Sequence, residues 1–148
     1  FPDRVRWIDI GDSWQTGGGS APGDSIFALV IANQNSPHSK APLVVMAAQH
    51  ARELATAEIA TRLAERIVRN PDNDPDLAWL ADHREIHIIA QQNPDGRRQV
   101  EQGAGLWRKN HNETACPSGT TGVDLNRNSP VFWGDSSSDD ACSQVFRG

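Results

Sequence analysis

His50 and Glu53 are the two side chains whose types and spacing most directly indicate metal chemistry. They lie three residues apart, after an apolar segment and before an amphipathic one. A neutral imidazole nitrogen and a carboxylate oxygen both suit Zn²⁺, and a catalytic zinc usually takes three protein ligands and a water molecule. The pair would supply two of those three ligands. Taken alone, it fits at least as well the acidic first turn of a helix, where glutamate stabilises the N-terminus.

The four other histidines do not form a comparable pair. Residues 85–91 are predicted to form a strand, in which four residues span about 13 Å, so His83 and His87 cannot share one ion. Both are predicted to be ordinary surface or edge histidines. His38 and His111 lie in polar segments and are predicted to be solvated. His50 is therefore the favoured histidine ligand.

Apolar segments on both sides of the motif predict β-strands. Apolar and polar residues alternate at 5–10, and residues 25–33 and 85–91 are rich in β-branched and aliphatic side chains. Residues 43–48 are continuously apolar, as expected of a strand that is covered on both faces. The C-terminal region is predicted to be mostly loop, with room for one short strand at 123–125.

One clear helix is predicted, over residues 54–69. Its apolar face is formed by side chains at helical spacing, namely Ala55, Ile59, Leu63 and Ile67, with Ala60, Ala64 and Val68 beside them. Asn70-Pro71 ends it. The Gly17-Gly18-Gly19-Ser20 stretch lacks the Gly-Lys-Ser/Thr ending of a phosphate-binding loop and is predicted to be a hairpin loop.

Strands interleaved with a helix predict an α/β domain with a mixed sheet. In open α/β sheets, functional sites gather beyond the carboxyl ends of the strands. His50 follows the predicted strand at 43–48, and the turn signal Asn93-Pro94-Asp95-Gly96 follows the one at 85–91. Their positions along the chain therefore agree with a site at such an edge.

The composition limits the class of protein and its partners. A chain of 148 residues, with 37% hydrophobic and 22% charged residues, is typical of one soluble globular domain. A net charge of −5 argues against a nucleic-acid partner, because phosphate-binding domains are usually basic. No apolar run approaches the roughly 20 residues that span a bilayer, so no membrane partner is expected.

Cys116 and Cys142 lie in a stretch rich in Ser, Gly, Pro and Asp, which offers no obvious apolar site for a free thiol. A disulfide between them would close a loop and raise the free energy of unfolding by about 3–4 kcal/mol in the chain-entropy model. It would also indicate an oxidising compartment. The alternative is two unrelated thiols in a cytosolic protein.

Further motifs follow the first one in a recognisable order. After His50-Ala51-Arg52-Glu53 come Asn93-Pro94-Asp95-Gly96, Trp107-Arg108-Lys109-Asn110 and Gly122-Val123-Asp124-Leu125-Asn126-Arg127-Asn128. This ordered set resembles the zinc metallocarboxypeptidases, the family of carboxypeptidase A and carboxypeptidase T. The closing residues 142–148 resemble the family's Ser-Glu-Thr-Tyr-Arg-Gly stretch, with Gln, Val and Phe as departures. The resemblance covers nearly the whole chain.

The resemblance implies a zinc centre. His50 and Glu53 match the first two ligands of a single Zn²⁺ ion. Asp124 matches the carboxylate that orients the first zinc histidine. Such a carboxylate fixes the tautomer of the imidazole and raises its basicity.

The resemblance also implies how a peptide is bound and cleaved. Arg108 matches the arginine that polarises the scissile carbonyl and stabilises the tetrahedral oxyanion, a charge that develops only in the transition state. Asn126 and Arg127 match the pair that grips the terminal carboxylate, which guanidinium recognises through paired, charge-assisted hydrogen bonds. Arg52 matches an arginine lining an outer subsite.

The family also uses a third zinc ligand, a histidine, together with a glutamate that activates water and a tyrosine that closes over the substrate. In the family all three lie beyond the position matched by Gly148, and this sequence contains no tyrosine. Residues 1–148 are therefore expected to be the N-terminal part of a single catalytic domain, with a mostly parallel twisted sheet and helices packed on its faces. Alone, the segment is expected to bind zinc weakly, to be inactive and to self-associate.

The resemblance implies a secreted, extracellular or periplasmic zinc carboxypeptidase that hydrolyses the C-terminal bond of peptides and proteins with zinc-activated water. One alternative is a zinc amidohydrolase of the same fold that acts on cell-wall peptides. Another is a non-catalytic module that binds peptide C-termini.

Overall fold

The computed structural model describes residues 3–17, 22–69, 72–113, 116 and 121–148. Its elements, in chain order, are β1 (Val5–Asp12), α1 (Trp14–Gly17), β2 (Ser25–Ile31), β3 (Ala41–Met46), α2 (Leu54–Arg69), α3 (Pro75–His83), β4 (Arg84–Ile89), α4 (Pro94–Glu101) and a 3-10 turn at Leu125–Arg127. The predicted α/β class with a mixed sheet is confirmed. No helix in the described part of the chain is long and apolar enough to cross a bilayer.

The chain divides into two compact units. The first comprises Phe1–Ile10, Ile26–Ala47 and Ala55–Gln92. The second comprises Gly11–Ser25, Ala48–Leu54 and Asn93–Gly148.

The first unit is built on a four-stranded sheet with the strand order β1-β2-β4-β3. β2 runs antiparallel to β4, with Leu29 opposite Ile88, and β3 runs parallel to β4. Ile31, Ile86 and Ile88 are each about 1% exposed and belong to the same apolar cluster as residues of α2 and α3. Burying each such side chain contributes roughly 1.5–3 kcal/mol, so this cluster is the main source of stability in the unit.

The helix α2 has the predicted bounds, and its buried residues all belong to the predicted apolar face, although only part of that face is buried. Ala60, Ala64 and Ile67 are buried against the sheet cluster, whereas Ile59 remains 65% exposed and Leu63 38% exposed. The small side chains of Ala60 and Ala64 let the helix backbone approach the sheet closely, and Ile67 is buried about one turn later. Periodicity predicted the helix and its apolar face but not which positions of that face are buried.

β3 is not covered on both faces as predicted. Leu43, Val44 and Met46 are 45%, 54% and 59% exposed. Within the described residues β3 lies at an edge of the sheet and pairs only with β4. The apolar run therefore predicted a strand correctly and its coverage wrongly.

Three helical elements were not predicted, and two of them begin with the same signal. Asp74 caps α3 and is followed by Pro75, while Asn93 caps α4 and is followed by Pro94. A capping side chain followed by proline at the first helical position is a helix start, although the second case was interpreted only as a turn. The third element is α1. The predicted hairpin loop at 17–20 lies outside the described residues except for Gly17, which ends α1.

Candidate active site

All residues predicted to form the site belong to the second unit. The segment Ala48–Leu54 begins with an alanine whose φ is +53°, in the left-handed region. This conformation costs a residue with a side chain roughly 1–2 kcal/mol, so surrounding contacts must hold it. His50 follows two residues later and is 8% exposed.

The imidazole of His50 has different partners at its two nitrogens. Nε2 lies 3.2 Å from Oδ1 of Asp124. Because a carboxylate can only accept, Nε2 carries the proton of that hydrogen bond. Nδ1 lies 2.9 Å from Oε1 of Glu53. Both ring nitrogens thus face carboxylate oxygens, which can only accept. A metal ion held between Nδ1 and Glu53 would use the Nδ1 lone pair, and the Asp124 contact would then keep the proton on Nε2.

Asp124 is the centre of the hydrogen-bond network and is fully buried. Its Oδ1 accepts from His50 and from the backbone N–H of Asn126 at 3.0 Å. Its Oδ2 accepts from Nε and Nη2 of Arg108 at 3.2 and 2.9 Å. Both oxygens are used, so this one carboxylate fixes an imidazole, a guanidinium and the start of the 3-10 turn.

Arg108 provides the cation of the site. Its side chain is 14% exposed, and the paired contact with Asp124 compensates its burial. Nη1 is not part of that pair and lies 3.4 Å from Nδ1 of His50. The guanidinium is therefore held from one side, with Nη1 directed to the face of the imidazole where Glu53 lies.

The donor set fits zinc. One imidazole nitrogen and one carboxylate oxygen face each other at 2.9 Å, and the second ring nitrogen is bound to a carboxylate. Two ligands about 2.0 Å from a tetrahedral zinc would be about 3.3 Å apart, so a small opening of the pair accommodates the ion. No group of three His, Cys, Asp or Glu side chains in the described residues could hold a metal. Within the described residues, His50 and Glu53 form a pair of candidate ligands, which is called the half-site below.

Asn126 and Arg127 line a separate cavity of about 270 Å³ with Ser129, Val131, Phe132, Asp135 and Ser136. The guanidinium of Arg127 donates through Nε to the carbonyl of Ser136 and through Nη1 to that of Asn126, both at 2.9 Å. Arg127 thus makes hydrogen bonds to carbonyls of the cavity-lining segment and has no acidic partner within 4.0 Å in the described residues. Arg52 lies elsewhere and donates to the carbonyl of Leu106 at 3.3 Å.

A family model described as zinc carboxypeptidase matches residues 1–148. The chain belongs to the zinc carboxypeptidase family. Metallocarboxypeptidase A of Trichophyton tonsurans is 32% identical over 152 residues, covering 100% of this chain and 33% of that protein. The crystal structure of carboxypeptidase A from Helicoverpa armigera matches with a TM-score of 0.84 at 30% identity, over 100% of this chain and 34% of that one.

The zinc carboxypeptidase relatives are not uniform in activity. A protein named inactive metallocarboxypeptidase ECM14, from Paracoccidioides brasiliensis, is 30% identical over 151 residues, covering 100% of this chain and 24% of its own length. This chain spans about a third of the length of the first curated relatives it matches. Family membership is therefore shown, while the activity of the whole protein is a separate question.

Lys109 is a further buried residue of this carboxypeptidase chain to which sequence reasoning assigned no role. It is 2% exposed, and its ammonium group donates to the carbonyls of Ala141 and Ser143 at 2.9 and 3.1 Å. Burial lowers the pKa of Lys109, while Asp140 and Asp124 act in the opposite direction. Lys109 directly follows Arg108, so these two hydrogen bonds join the segment at 141–143 to the segment that carries Arg108. A lysine next to an arginine carries no local signal of burial, which explains why it was missed.

The predicted disulfide between Cys116 and Cys142 is confirmed, with 26 residues of sequence separation. Replacing both cysteines with serine in the whole protein is expected to lower the free energy of unfolding by about 3–4 kcal/mol, because the unfolded chain loses its cross-link. Urea denaturation of the two proteins measures the difference. An unchanged midpoint would contradict a stabilising role for the cross-link.

The other histidines lie outside this network. His38 is exposed, as predicted, and stacks on His83 with ring centroids 4.2 Å apart. His111 is half-buried and stacks on Trp107 at 5.7 Å, so its predicted solvation is wrong. His87 contacts Glu85 at 2.8 Å and takes no part in the site.

The strand considered at 123–125 is absent. Leu125 instead begins the 3-10 turn, because the side chain of Asp124 caps it by accepting from the N–H of Asn126. The short β-branched and apolar run was misleading, since an aspartate within it satisfies the backbone of a turn.

Proposed function

We propose that the whole protein is a zinc-dependent metallocarboxypeptidase that removes the C-terminal residue of peptides and proteins. One observation carries the proposal: the buried carboxylate of Asp124 binds both the ring of His50 and the guanidinium of Arg108. A metal ligand and a cation for a developing negative charge are thereby fixed next to each other. This is the arrangement that hydrolysis of a carbonyl compound requires.

His50 and Glu53 are the residues that would hold a single zinc ion, through Nδ1 and a carboxylate oxygen. When bound there, zinc supplies a Lewis acid that lowers the pKa of water and polarises a carbonyl group. The described residues contain no third ligand at this place. Since the chain spans about a third of its first curated relatives, we propose that the third ligand and the base come from elsewhere in the whole protein.

The residues of this chain act mainly by positioning charge. Asp124 keeps the proton of His50 on Nε2, and it neutralises part of the charge of Arg108. Arg108 directs Nη1 toward the place where a substrate carbonyl would lie next to Glu53. A fixed cation of this kind stabilises an oxyanion without any reorganisation during the reaction.

Recognition of the peptide C-terminus is assigned to Asn126 and Arg127. A guanidinium binds a carboxylate with two charge-assisted hydrogen bonds, and an amide adds another donor. The lack of an acidic partner for Arg127 within the described residues supports this role, since its charge is compensated only by carbonyls. Arg52 is proposed to contact the peptide farther from its terminus.

Two broader proposals accompany this function. We propose that residues 1–148 are the N-terminal part of a single catalytic domain, supported by a family match over all of them. We also propose that the whole protein is secreted, extracellular or periplasmic, supported by the disulfide of Cys116 and Cys142, because such bonds persist in oxidising compartments.

A second candidate is a module that binds peptide C-termini without cleaving them. The cavity at Asn126 and Arg127 does not include the half-site residues, so binding there does not require the metal. The inactive relative supports keeping this candidate. The zinc amidohydrolase alternative is less favoured, because a cell-wall amide need not carry a free terminal carboxylate for Arg127 to bind.

The deciding experiment compares a peptide with a free terminal carboxylate and the same peptide amidated at its C-terminus. The whole protein is expected to release one residue from the free peptide only, to lose the activity with a chelator and to regain it with Zn²⁺. Binding of the free peptide without release would favour the non-catalytic module. Equal cleavage of both peptides would overturn the carboxypeptidase assignment in favour of another amidohydrolase.

The isolated 148-residue chain is expected to self-associate, to bind zinc weakly and to release no amino acid. Two ligands leave a tetrahedral site half formed. The exposed apolar strand β3 and an open apolar cleft of about 630 Å³ in the first unit favour association. Sedimentation velocity at increasing concentration measures the association. A monomer at all concentrations, or tight stoichiometric zinc with hydrolysis, would contradict these expectations.

A further inference from the structure

We propose that Asn93 is a positioning residue, which holds the backbone that carries His50 against the backbone that carries Arg108. The proposal rests on the proposed function for its effect on catalysis, but the contacts themselves are independent of it. Asn93 was identified from the sequence only as part of a turn signal. In the structure it is 2% exposed and lies in the second unit with both segments.

The carboxamide of Asn93 makes hydrogen bonds to backbone groups of Gln49, Lys109 and Gly96. Nδ2 donates to the carbonyl of Gln49 at 3.2 Å and to the carbonyl of Lys109 at 3.0 Å. Oδ1 accepts from the N–H of Gly96 at 3.0 Å and so caps α4. The orientation of the amide is unambiguous, because two carbonyls must face its donor and one N–H its acceptor.

The two carbonyls belong to the residues directly beside the catalytic candidates. Gln49 precedes His50, and Lys109 follows Arg108. A backbone hydrogen bond from the N–H of Ala51 to the carbonyl of Arg108, at 3.1 Å, joins the same two segments directly. One carboxamide and one backbone hydrogen bond thus set the separation of the two backbones, while Asp124 sets the orientation of their side chains.

The first of these segments needs such support. Ala48 holds a left-handed conformation that is unfavourable for a residue with a side chain. The carbonyl of Gln49, one residue later, is fixed by Asn93 in that geometry. Without this hydrogen bond the segment can relax, and the position of His50 changes with it.

The packing around the carboxamide is tight. A Cβ atom on Gly96 would lie 2.6 Å from the carbonyl oxygen of Lys109 and 2.7 Å from the amide atoms of Asn93. The indole N–H of Trp107 donates to the same Lys109 carbonyl at 2.8 Å. The carboxamide of Asn93 therefore has little room to take another position between the start of α4 and the segment that carries Arg108.

Asn93→Ser in the whole protein separates the two purposes of the side chain. Serine is as good a helix cap as asparagine but is too short to reach both carbonyls. We expect kcat for a free-carboxylate peptide to fall about 10- to 100-fold, since a displacement of about 1 Å can have an effect of that size. KM is expected to change less than about threefold, because Asn93 does not contact the cavity at Asn126 and Arg127.

Asp74→Ser is the matched control. Asp74 also caps a helix just before a proline, accepting from the N–H groups of Asp76 and Leu77 at 3.1 and 3.3 Å, but it belongs to the first unit. This variant is expected to keep the kcat of the unaltered protein, even where its melting temperature falls as far as that of Asn93→Ser.

Hydrogen exchange at the amide of Ala51 provides a readout that does not depend on activity. Exchange there is expected to be at least about tenfold faster in Asn93→Ser than in Asp74→Ser. The amide of Ala51 is protected only while its hydrogen bond to the carbonyl of Arg108 holds the two segments together. An active wild-type protein whose Asn93→Ser variant keeps kcat and Ala51 protection would overturn the proposal. Should the wild type lack peptidase activity, the proposed function fails and the exchange comparison alone decides about Asn93. If Asn93→Ser does not fold, Asn93→Asp, which keeps the shape and the capping oxygen, takes its place in both measurements.

Discussion

Replacing Arg108 with lysine in the whole protein is expected to lower kcat about 100- to 1000-fold while the protein stays folded. Lysine keeps the positive charge and can still pair with Asp124. It cannot, however, make the paired Nε and Nη2 contacts and direct a further donor past His50 at the same time. The loss should appear in kcat rather than KM, because the oxyanion forms only in the transition state.

Arg97→Lys is the control for this substitution. Arg97 is also salt-bridged, to Glu101 at 2.7 Å, but the pair lies on the exposed side of α4. Steady-state kinetics should show Arg97→Lys close to the unaltered protein. If Arg108→Lys retained most of its kcat, Arg108 would be a structural partner of Asp124 and nothing more.

Asp124→Asn is expected to weaken zinc binding by about 10- to 100-fold, the usual effect of removing a carboxylate behind a ligating histidine. The substitution is also expected to lower stability by about 3–5 kcal/mol, because it leaves Arg108 buried without its counter-ion. Asparagine can present its amide to His50 and so select the wrong tautomer. Zinc titration and urea denaturation of the whole protein measure the two effects.

Asp95→Asn separates the two effects of Asp124→Asn. Asp95 is another aspartate of the second unit, 2% exposed, and it accepts from Ser13 Oγ at 2.8 Å and from the N–H of Gln15 at 2.9 Å. Its substitution should destabilise the protein while leaving zinc affinity nearly unchanged. Equal losses of zinc affinity in both variants would mean that Asp124 acts only through stability.

The elements that the sequence predicted best are those with strong local periodicity. The helix α2 has the predicted bounds, and all four strands lie where apolar alternation or apolar runs predicted them. The order of motifs also led to the family that the whole-chain match shows. These signals depend only on the spacing and order of residues along the chain, so they can be recognised without knowledge of distant contacts.

The predictions that failed depend on contacts that are distant in the sequence. Whether Ile59 or Ala60 faces the sheet, and whether Val44 is covered, depends on which elements pack against them. The start of α4 could have been predicted from the local sequence, since Asn93-Pro94 is a cap followed by proline. The two carbonyls that Asn93 binds lie 44 and 16 residues away, so the local sequence could not predict these contacts.

The candidate site was predicted in part for the same reason. His50 and Glu53 are close in sequence, and the structure brings their side chains to 2.9 Å. Asp124 lies 74 residues after His50, and physical reasoning alone could not have paired them. Only the resemblance to the family supplied that expectation, and the observed contact agrees with it.

The central claim is that His50 and Glu53 form half of a catalytic zinc site, and crystallography of the whole protein at the zinc absorption edge tests it most directly. We predict one anomalous peak, bonded to Nδ1 of His50 and to a carboxylate oxygen of Glu53, with Nε2 of His50 still bound to Asp124. A zinc ion bound through other residues, or no peak at His50 in crystals grown with zinc, would contradict the claim.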